Sequence, residues 1–111
     1  MDLRLERLSI PAGWIVEWNV FYDMSPPFYN EAEPLWELFK EDMLYIKHKN
    51  IPYSVDLGWS PENSPAGNFV LRLLKDENWK TPVLEVTSPN KDEIVEKLNE
   101  LILAVSNGEI R

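Results

Sequence analysis

The side chains that could take part in catalysis are one histidine and many carboxylates. His48 is the single histidine of the chain, and it stands between Lys47 and Lys49, where surface exposure is expected. A catalytic triad needs a histidine beside a nucleophile and an orienting carboxylate. There is no cysteine and no second histidine to share a metal ion, and the four glycines form no phosphate-binding loop. We therefore expect a protein without catalytic residues, metal or cofactor.

The charge of the chain restricts its partners. The 111 residues include 19 Asp and Glu against 11 Lys and Arg, a net charge of −8. This composition disfavours nucleic acids and anionic membranes as partners, and it favours a basic protein partner through electrostatic attraction. So many acids also produce carboxylate pairs by chance, so a two-carboxylate hydrolase is not specifically indicated. The alternative is that the charge only keeps the protein in solution.

The five tryptophans are the other unusual feature. Trp14 and Trp18 have the same parity in one predicted strand, and Trp36 joins an apolar stripe, so we expect these three in the core. Trp59 and Trp79 lie at a strand end and in a turn. Tryptophan near a loop can anchor a protein interface. Alternatively, each covers the edge of a small core.

Hydrophobic periodicity predicts the elements that carry these residues. They are, in chain order, a strand at 14–23, a helix at 33–48, strands at 52–59, 68–75 and 82–88, and a helix at 91–106. The first helix is predicted from the spacing of Trp36, Phe39, Met43 and Ile46. Asn90 and Asn107-Gly108 are the expected cap and stop of the second. A short strand over 3–8 is an additional alternative.

These elements predict one α+β domain over residues 1–111. Its expected architecture is a two-layer sandwich in which a mostly antiparallel four-stranded sheet carries two helices on one face, in the order β-α-β-β-β-α. The uncovered face of the sheet is the natural place for function. With no signal peptide or apolar span in the sequence, we expect a cytoplasmic protein.

Three motifs are similar to those of small immunity proteins of bacterial polymorphic-toxin systems. They are the GW-strand-FYD run at 13–23, the D-x-GW-x-P-E element at 56–62 and the tryptophan turn at 76–80. The resemblance spans most of residues 10–105. It implies a cytosolic antidote that neutralises the toxin domain of a contact-dependent or secreted toxin by binding it. Many such toxins are nucleases with basic clefts, in which an acidic inhibitor can occupy the phosphate track.

The resemblance also implies contact residues that are exposed and acidic or aromatic. The expected set is Asp56, Trp59, Glu62, Asp76, Glu77 and Trp79, with Glu37 and Glu41 as a second patch. Two other functions stay open at this point. One is a ligand-binding domain or enzyme with a pocket on the open sheet face, lined by Trp18, Tyr22, Tyr53 and Trp59. The other is an adaptor that dimerises through an exposed sheet edge.

Overall fold

The structure is a computed structural model that describes residues 4–24 and 34–110. In these ranges the chain forms a five-stranded sheet and one α-helix. The strands are β1 (Trp14–Asn19), β2 (Leu44–His48), β3 (Tyr53–Ser60), β4 (Asn68–Lys75) and β5 (Leu84–Ser88), and the helix is α1 (Lys91–Ser106). All neighbouring strands are antiparallel, in the order β1-β2-β3-β4-β5. The predicted α+β class is confirmed.

The two faces of the sheet differ in what covers them. The helix-covered face carries the core, built around Ile46, Val55, Leu57, Leu71 and Leu73, none more than 1% exposed. The opposite face, here called the open face, carries Tyr45, Asp56 and Arg72. Because side chains alternate along a strand, the apolar alternation in β3 and β4 assigns their faces directly. The core therefore lies between the sheet and α1.

Helix α1 begins and ends where the sequence predicts. The Asn90 side chain accepts a hydrogen bond from the backbone N–H of Glu93 at 3.0 Å, which satisfies one of the free donors of the first turn. At the other end, the Asn107 N–H donates to the Leu103 carbonyl, and Gly108 adopts a φ of 75°. The apolar stripe of the helix is buried, and it consists of Ile94, Leu98, Leu101, Ile102 and Val105.

The predicted helix at 33–48 is wrong. Residue 33 lies outside the described residues. Pro34–Leu38 forms a short 3₁₀ helix and Leu44–His48 is strand β2, so the described part of the chain has five strands and one α-helix. Leu44 and Ile46 are fully buried while Tyr45 and Lys47 are half-buried, which is the period of a strand. The helical stripe shares only Ile46 with this strand pattern, because Met43 precedes β2. Pairing with β1 and β3 on both sides decides in favour of the strand.

A second correction concerns Trp18, which is 53% exposed and lies outside the core. Val16 pairs with Ile46, but Trp18 pairs with Tyr45, so Glu17 is an extra residue in the ladder. Such a β-bulge reverses the parity of the residues that follow it. Trp18 consequently lies on the open face, although Trp14 at 9% and Trp36 at 4% exposure are buried as predicted.

The first residues of the described chain are held against α1 by a buried lysine. Lys91 is 4% exposed, and its Nζ lies 2.7 Å from Glu6 Oε2 and also contacts Asp23. Burial alone would lower the pKa of Lys91, but hydrogen bonds and charges of both carboxylates raise it above its ordinary value. The segment 4–6 pairs with 21–23 through the bridge between Leu5 and Tyr22. The ion pairs therefore join the segments around Glu6 and Asp23 to the first turn of α1.

Candidate functional site

One row of side chains crosses the open face from edge to edge. Its members are opposite one another in the strand registers, in the order Trp18, Tyr45, Asp56, Arg72 and Glu85. Side chains opposite each other in antiparallel strands stand close enough to interact. The row therefore changes from aromatic at β1 to charged at β5, and we call it the central row.

The turn after β4 folds back onto the aromatic half of the central row. Trp79 stacks on Tyr45 with ring centroids 5.7 Å apart. The Tyr45 hydroxyl donates to Glu77 Oε1 at 2.9 Å, and Lys47 Nζ lies 3.3 Å from the same oxygen. These two hydrogen bonds and the lysine charge lower the pKa of Glu77. The contacts position Trp79 beside the row, with 48% of its surface still exposed.

The D-x-GW-x-P-E element is a clamp for the segment before β2. A β-carbon on Gly58 would lie 1.7 Å from the Glu41 carbonyl oxygen, so the 41–42 backbone passes directly over this glycine. The Trp59 N–H donates to the Lys40 carbonyl at 2.7 Å, and Glu62 Oε1 accepts from the Glu41 N–H at 3.3 Å. The clamp places the carboxylates of Glu41 and Asp42 at the rim of the open face.

Asp56 is a nearly buried carboxylate at the centre of the row. It is 2% exposed, and Arg72 Nη1 approaches it to only 3.5 Å. Arg72 makes its shorter contact, 2.9 Å from Nε, with Glu85. Burial and then the charge of Asp42 raise the pKa of Asp56 to about 6, while Arg72 opposes this shift. Asp56 thus holds negative charge that its own neighbours compensate poorly.

These groups surround a small pocket of about 260 Å³. Its lining includes Glu41, Asp42, Asp56, Arg72, Val70 and Trp79. The pocket combines carboxylates, one guanidinium and an aromatic ring, and it is too small for most drug-sized ligands. Its dimensions and chemistry suit a single side chain or a small cation better than an extended substrate.

Five of the predicted contact residues come together at this site. Glu41, Asp56, Trp59 and Trp79 line the pocket, and Glu77 accepts a hydrogen bond from Tyr45 in the adjoining turn. Asp76 is exposed in the same turn with a φ of 55°. Glu62 is exposed and belongs to the clamp, and Glu37 is exposed on the 3₁₀ helix. The structure places two residues differently from the expectation that all are exposed. Asp56 is buried at the pocket, and Trp59 is 1% exposed.

The expectation that Trp59 is exposed is wrong, and the strand alternation explains why. Its strand parity places the indole on the helix-covered face, where it packs against Phe39 and Phe69 with ring centroids 5.0 and 4.9 Å away. Its Nε1 donates to the Ser64 carbonyl at 2.7 Å. Trp59 is therefore a core residue that closes the loop after β3, and its indole is buried rather than exposed as expected.

The four-aromatic pocket considered as an alternative does not form. Trp18 is on the open face, whereas Tyr53 and Trp59 have the parity of the helix-covered face and are buried. Tyr22 lies in the bridge to Leu5. The strand alternation and the bulge at Glu17 separate these side chains, so they cannot line one cavity.

His48 has a structural environment. Its ring packs edge-on against Trp14 at 5.2 Å, and its Nδ1 accepts a hydrogen bond from the Asn50 N–H at 3.0 Å. In the described ranges, no three His, Asp or Glu side chains are arranged to hold a metal ion. Helices of the described chain are all too short or too polar to cross a membrane.

The residues that sequence reasoning missed are Tyr45, Asp42 and Arg72, whereas Trp18 was expected in the core or in a pocket of the open face. The alternation of Leu44 and Ile46 with Tyr45 and Lys47 was the available signal for β2. By contrast, the bulge that exposes Trp18 depends on pairing between distant segments. Comparisons with protein-family models, with curated proteins and with solved structures find no match to this chain.

Proposed function

We propose that this protein is a non-catalytic acidic binding protein that acts as a cytoplasmic immunity protein, neutralising a cognate bacterial toxin by direct binding. The observation that carries the proposal is the open face itself. It presents the exposed side chains of Trp18 and Trp79 beside surplus carboxylates, around a centre in which Asp56 and Leu74 are buried. We further propose that this face is the one that contacts the toxin domain.

The aromatic side chains supply the apolar part of the proposed interface. Trp18 and Trp79 are 53% and 48% exposed, and Ile15 on the same face is 45% exposed. Large apolar side chains grouped on a surface cost free energy in water and commonly mark an interaction site. Trp79 is also stacked on Tyr45, so little conformational entropy is lost when a partner covers it.

The carboxylates supply the charge complementarity. Glu77 and Glu85 already pair with Lys47 and Arg72. Asp42 makes no ion pair in the part of the chain that the structure describes. The whole chain has a net charge of −8. This surplus of negative charge favours a partner with a basic surface, such as a nuclease cleft. Electrostatic steering would then speed the encounter.

The proposal expects a neighbouring gene to encode the toxin domain, and the test measures protection from that domain and binding to it. Cells that express the toxin should survive only when this protein is co-expressed. Trp18→Ala and Trp79→Ala should each weaken binding by about 10-fold or more, mainly through faster dissociation. Leu103→Ala is the matched control, since Leu103 is also 53% exposed but lies on α1.

Salt dependence separates the charge contribution from the aromatic one. The association rate should fall as salt rises, because charges on the rim are screened over about 8–10 Å at physiological ionic strength. Replacing Asp76 and Glu77 together by amides should slow association more than it speeds dissociation. Wild-type binding with a salt-independent association rate, unaffected by every substitution on the open face, would refute the proposed interface.

A further inference from the structure

We propose that the pocket on the open face is the anchor for one arginine side chain of the partner, with Asp42 and Asp56 pairing its guanidinium and Trp79 packing on its plane. This inference rests on the proposed function, because it names the group of the basic partner that the site recognises. The occupant follows from charge complementarity and from the size of the pocket, about 260 Å³.

The pocket has the polarity that a cation requires. Asp42 and Glu41 are at its rim and Asp56 is at its floor. Asp42 lies close enough for its charge to raise the pKa of Asp56, so two carboxylates face the same small space. An incoming cation would relieve this repulsion, since opposite charge favours the ionised form of both acids.

The protein's own cation does not satisfy this requirement. Arg72 reaches Asp56 through one contact of 3.5 Å from Nη1, at the limit of a hydrogen bond. Its Nε is directed to Glu85 at 2.9 Å, on the side of the row next to β5. Asp56 is 2% exposed, so water does not supply the missing hydrogen bonds. Its carboxylate can therefore accept a stronger charge-assisted hydrogen bond from another cation.

The aromatic wall favours arginine over lysine. A guanidinium is planar, donates to two carboxylate oxygens at once and stacks on aromatic rings, whereas an ammonium is a compact and strongly hydrated charge. Trp79 lines the pocket and is held by its contact with Tyr45 at 5.7 Å. The wall is therefore in place before a partner arrives, which lowers the entropy cost of binding.

The experiment titrates the full-length protein with Nα-acetyl-L-arginine N-methylamide and follows ¹H–¹⁵N NMR shifts. Saturable shifts are expected at the Trp79 indole N–H and at the amides of Asp42, Asp56 and Val70. The lysine analogue should bind at least about fivefold more weakly because it cannot stack or pair bidentately. The citrulline analogue, an uncharged isostere, should show no saturation over the same concentration range.

Two variants of equal charge locate the binding. Asp42→Asn should weaken arginine binding by about fivefold or more, since it removes one of the two carboxylates. Glu109→Gln removes one charge from an exposed position near the chain terminus and should leave the affinity unchanged. Equal weakening by both variants, saturable citrulline binding, or shifts confined to another surface would each overturn the anchor.

This result can be separated from failure of the proposed function. A toxin that is neutralised through Trp18 and Trp79, with no arginine bound in the titration, overturns the anchor and leaves the function standing. Saturable arginine binding at the pocket supports the anchor even if no adjacent toxin domain is neutralised. In that case the function falls and the recognition site remains.

Discussion

The carbonyl oxygen of Glu41 lies so close over Gly58 that a β-carbon there would be 1.7 Å away. Gly58→Ala should therefore displace the 41–42 segment and lower the free energy of unfolding by about 1–3 kcal/mol or more, as overpacking does. Urea denaturation measures this loss. Ser60→Ala is the control, because Ser60 is exposed two residues further along β3. Equal midpoints for both variants would contradict the clamp.

The buried carboxyl of Asp56 should make stability fall as pH rises. Its pKa is raised from 3.8 to about 6 in the fold, so the folded protein binds more protons than the unfolded chain between these values. Stability from this group is greatest below about pH 4 and is lost as pH rises through 6. Asp56→Asn should match the wild type near pH 4 and exceed it by up to about 3 kcal/mol at pH 7.

Denaturation of both proteins from pH 4 to 7 checks this prediction, and only the difference between them is used, since other carboxylates titrate in both. Asp42→Asn should lower the pKa of Asp56, because the charge of Asp42 contributes to its shift. A constant difference between wild type and Asp56→Asn at every pH would show that Asp56 is not perturbed.

Lys91 should contribute to stability through its two carboxylate partners. Lys91→Met keeps the buried stem but leaves Glu6 and Asp23 without the Lys91 cation. We expect the free energy of unfolding to fall by about 1–3 kcal/mol. This is less than for a fully buried pair, because Asp23 is exposed. The control is Lys97→Met, whose pair with Glu100 is exposed on both sides and should change stability by less than about 0.5 kcal/mol. Thermal or urea unfolding at neutral pH decides between them, and equal losses would contradict the role of Lys91.

Truncation of Trp59 should lower the stability of the fold much more than truncation of Trp79. Trp59→Ala empties a core position that is 1% exposed and should cost about 3–5 kcal/mol of stability. Trp79→Ala removes a half-exposed ring stacked on Tyr45 and should cost only about 0.5–1.5 kcal/mol. Denaturation curves for the two variants provide the measurement. A larger loss for Trp79 would mean that the turn, rather than the core, stabilises the fold.

Local pattern was sufficient to predict the elements in the second half of the chain. In β3 and β4 the alternation of Val55 and Leu57, or Leu71 and Leu73, is the only period present, and α1 carries its own cap at Asn90. The segment 33–48 satisfied two periods at once. Met43 and Ile46 fit a helical stripe, whereas Leu44 and Ile46 fit a strand, and only the neighbouring strands decide which is formed.

In the candidate site too, some features follow from the local sequence and others depend on contacts between distant segments. Glu77 and Trp79 are two residues apart in the sequence, so their turn could be recognised as an exposed acidic and aromatic segment. Asp56 belongs to the D-x-GW-x-P-E element that carries the resemblance, but its burial follows from its position in a central strand. The partnership of Asp42 with Asp56 depends on the 41–42 segment crossing Gly58. Contacts between segments distant in sequence are not encoded in local periodicity, so this part of the site could not be predicted.

The bulge at Glu17, rather than the type of any residue, decides which aromatic side chain of β1 lies on the open face. Residues before it obey one parity and residues after it the other. Deleting this single residue would place Trp18 directly after Val16, still opposite Tyr45 on the open face, so no aromatic side chain of the strand would change face. Only a ladder that paired every residue of β1 without a bulge would set Trp18 opposite Leu44 and turn it toward the core, so the unpaired residue keeps this tryptophan exposed to a partner.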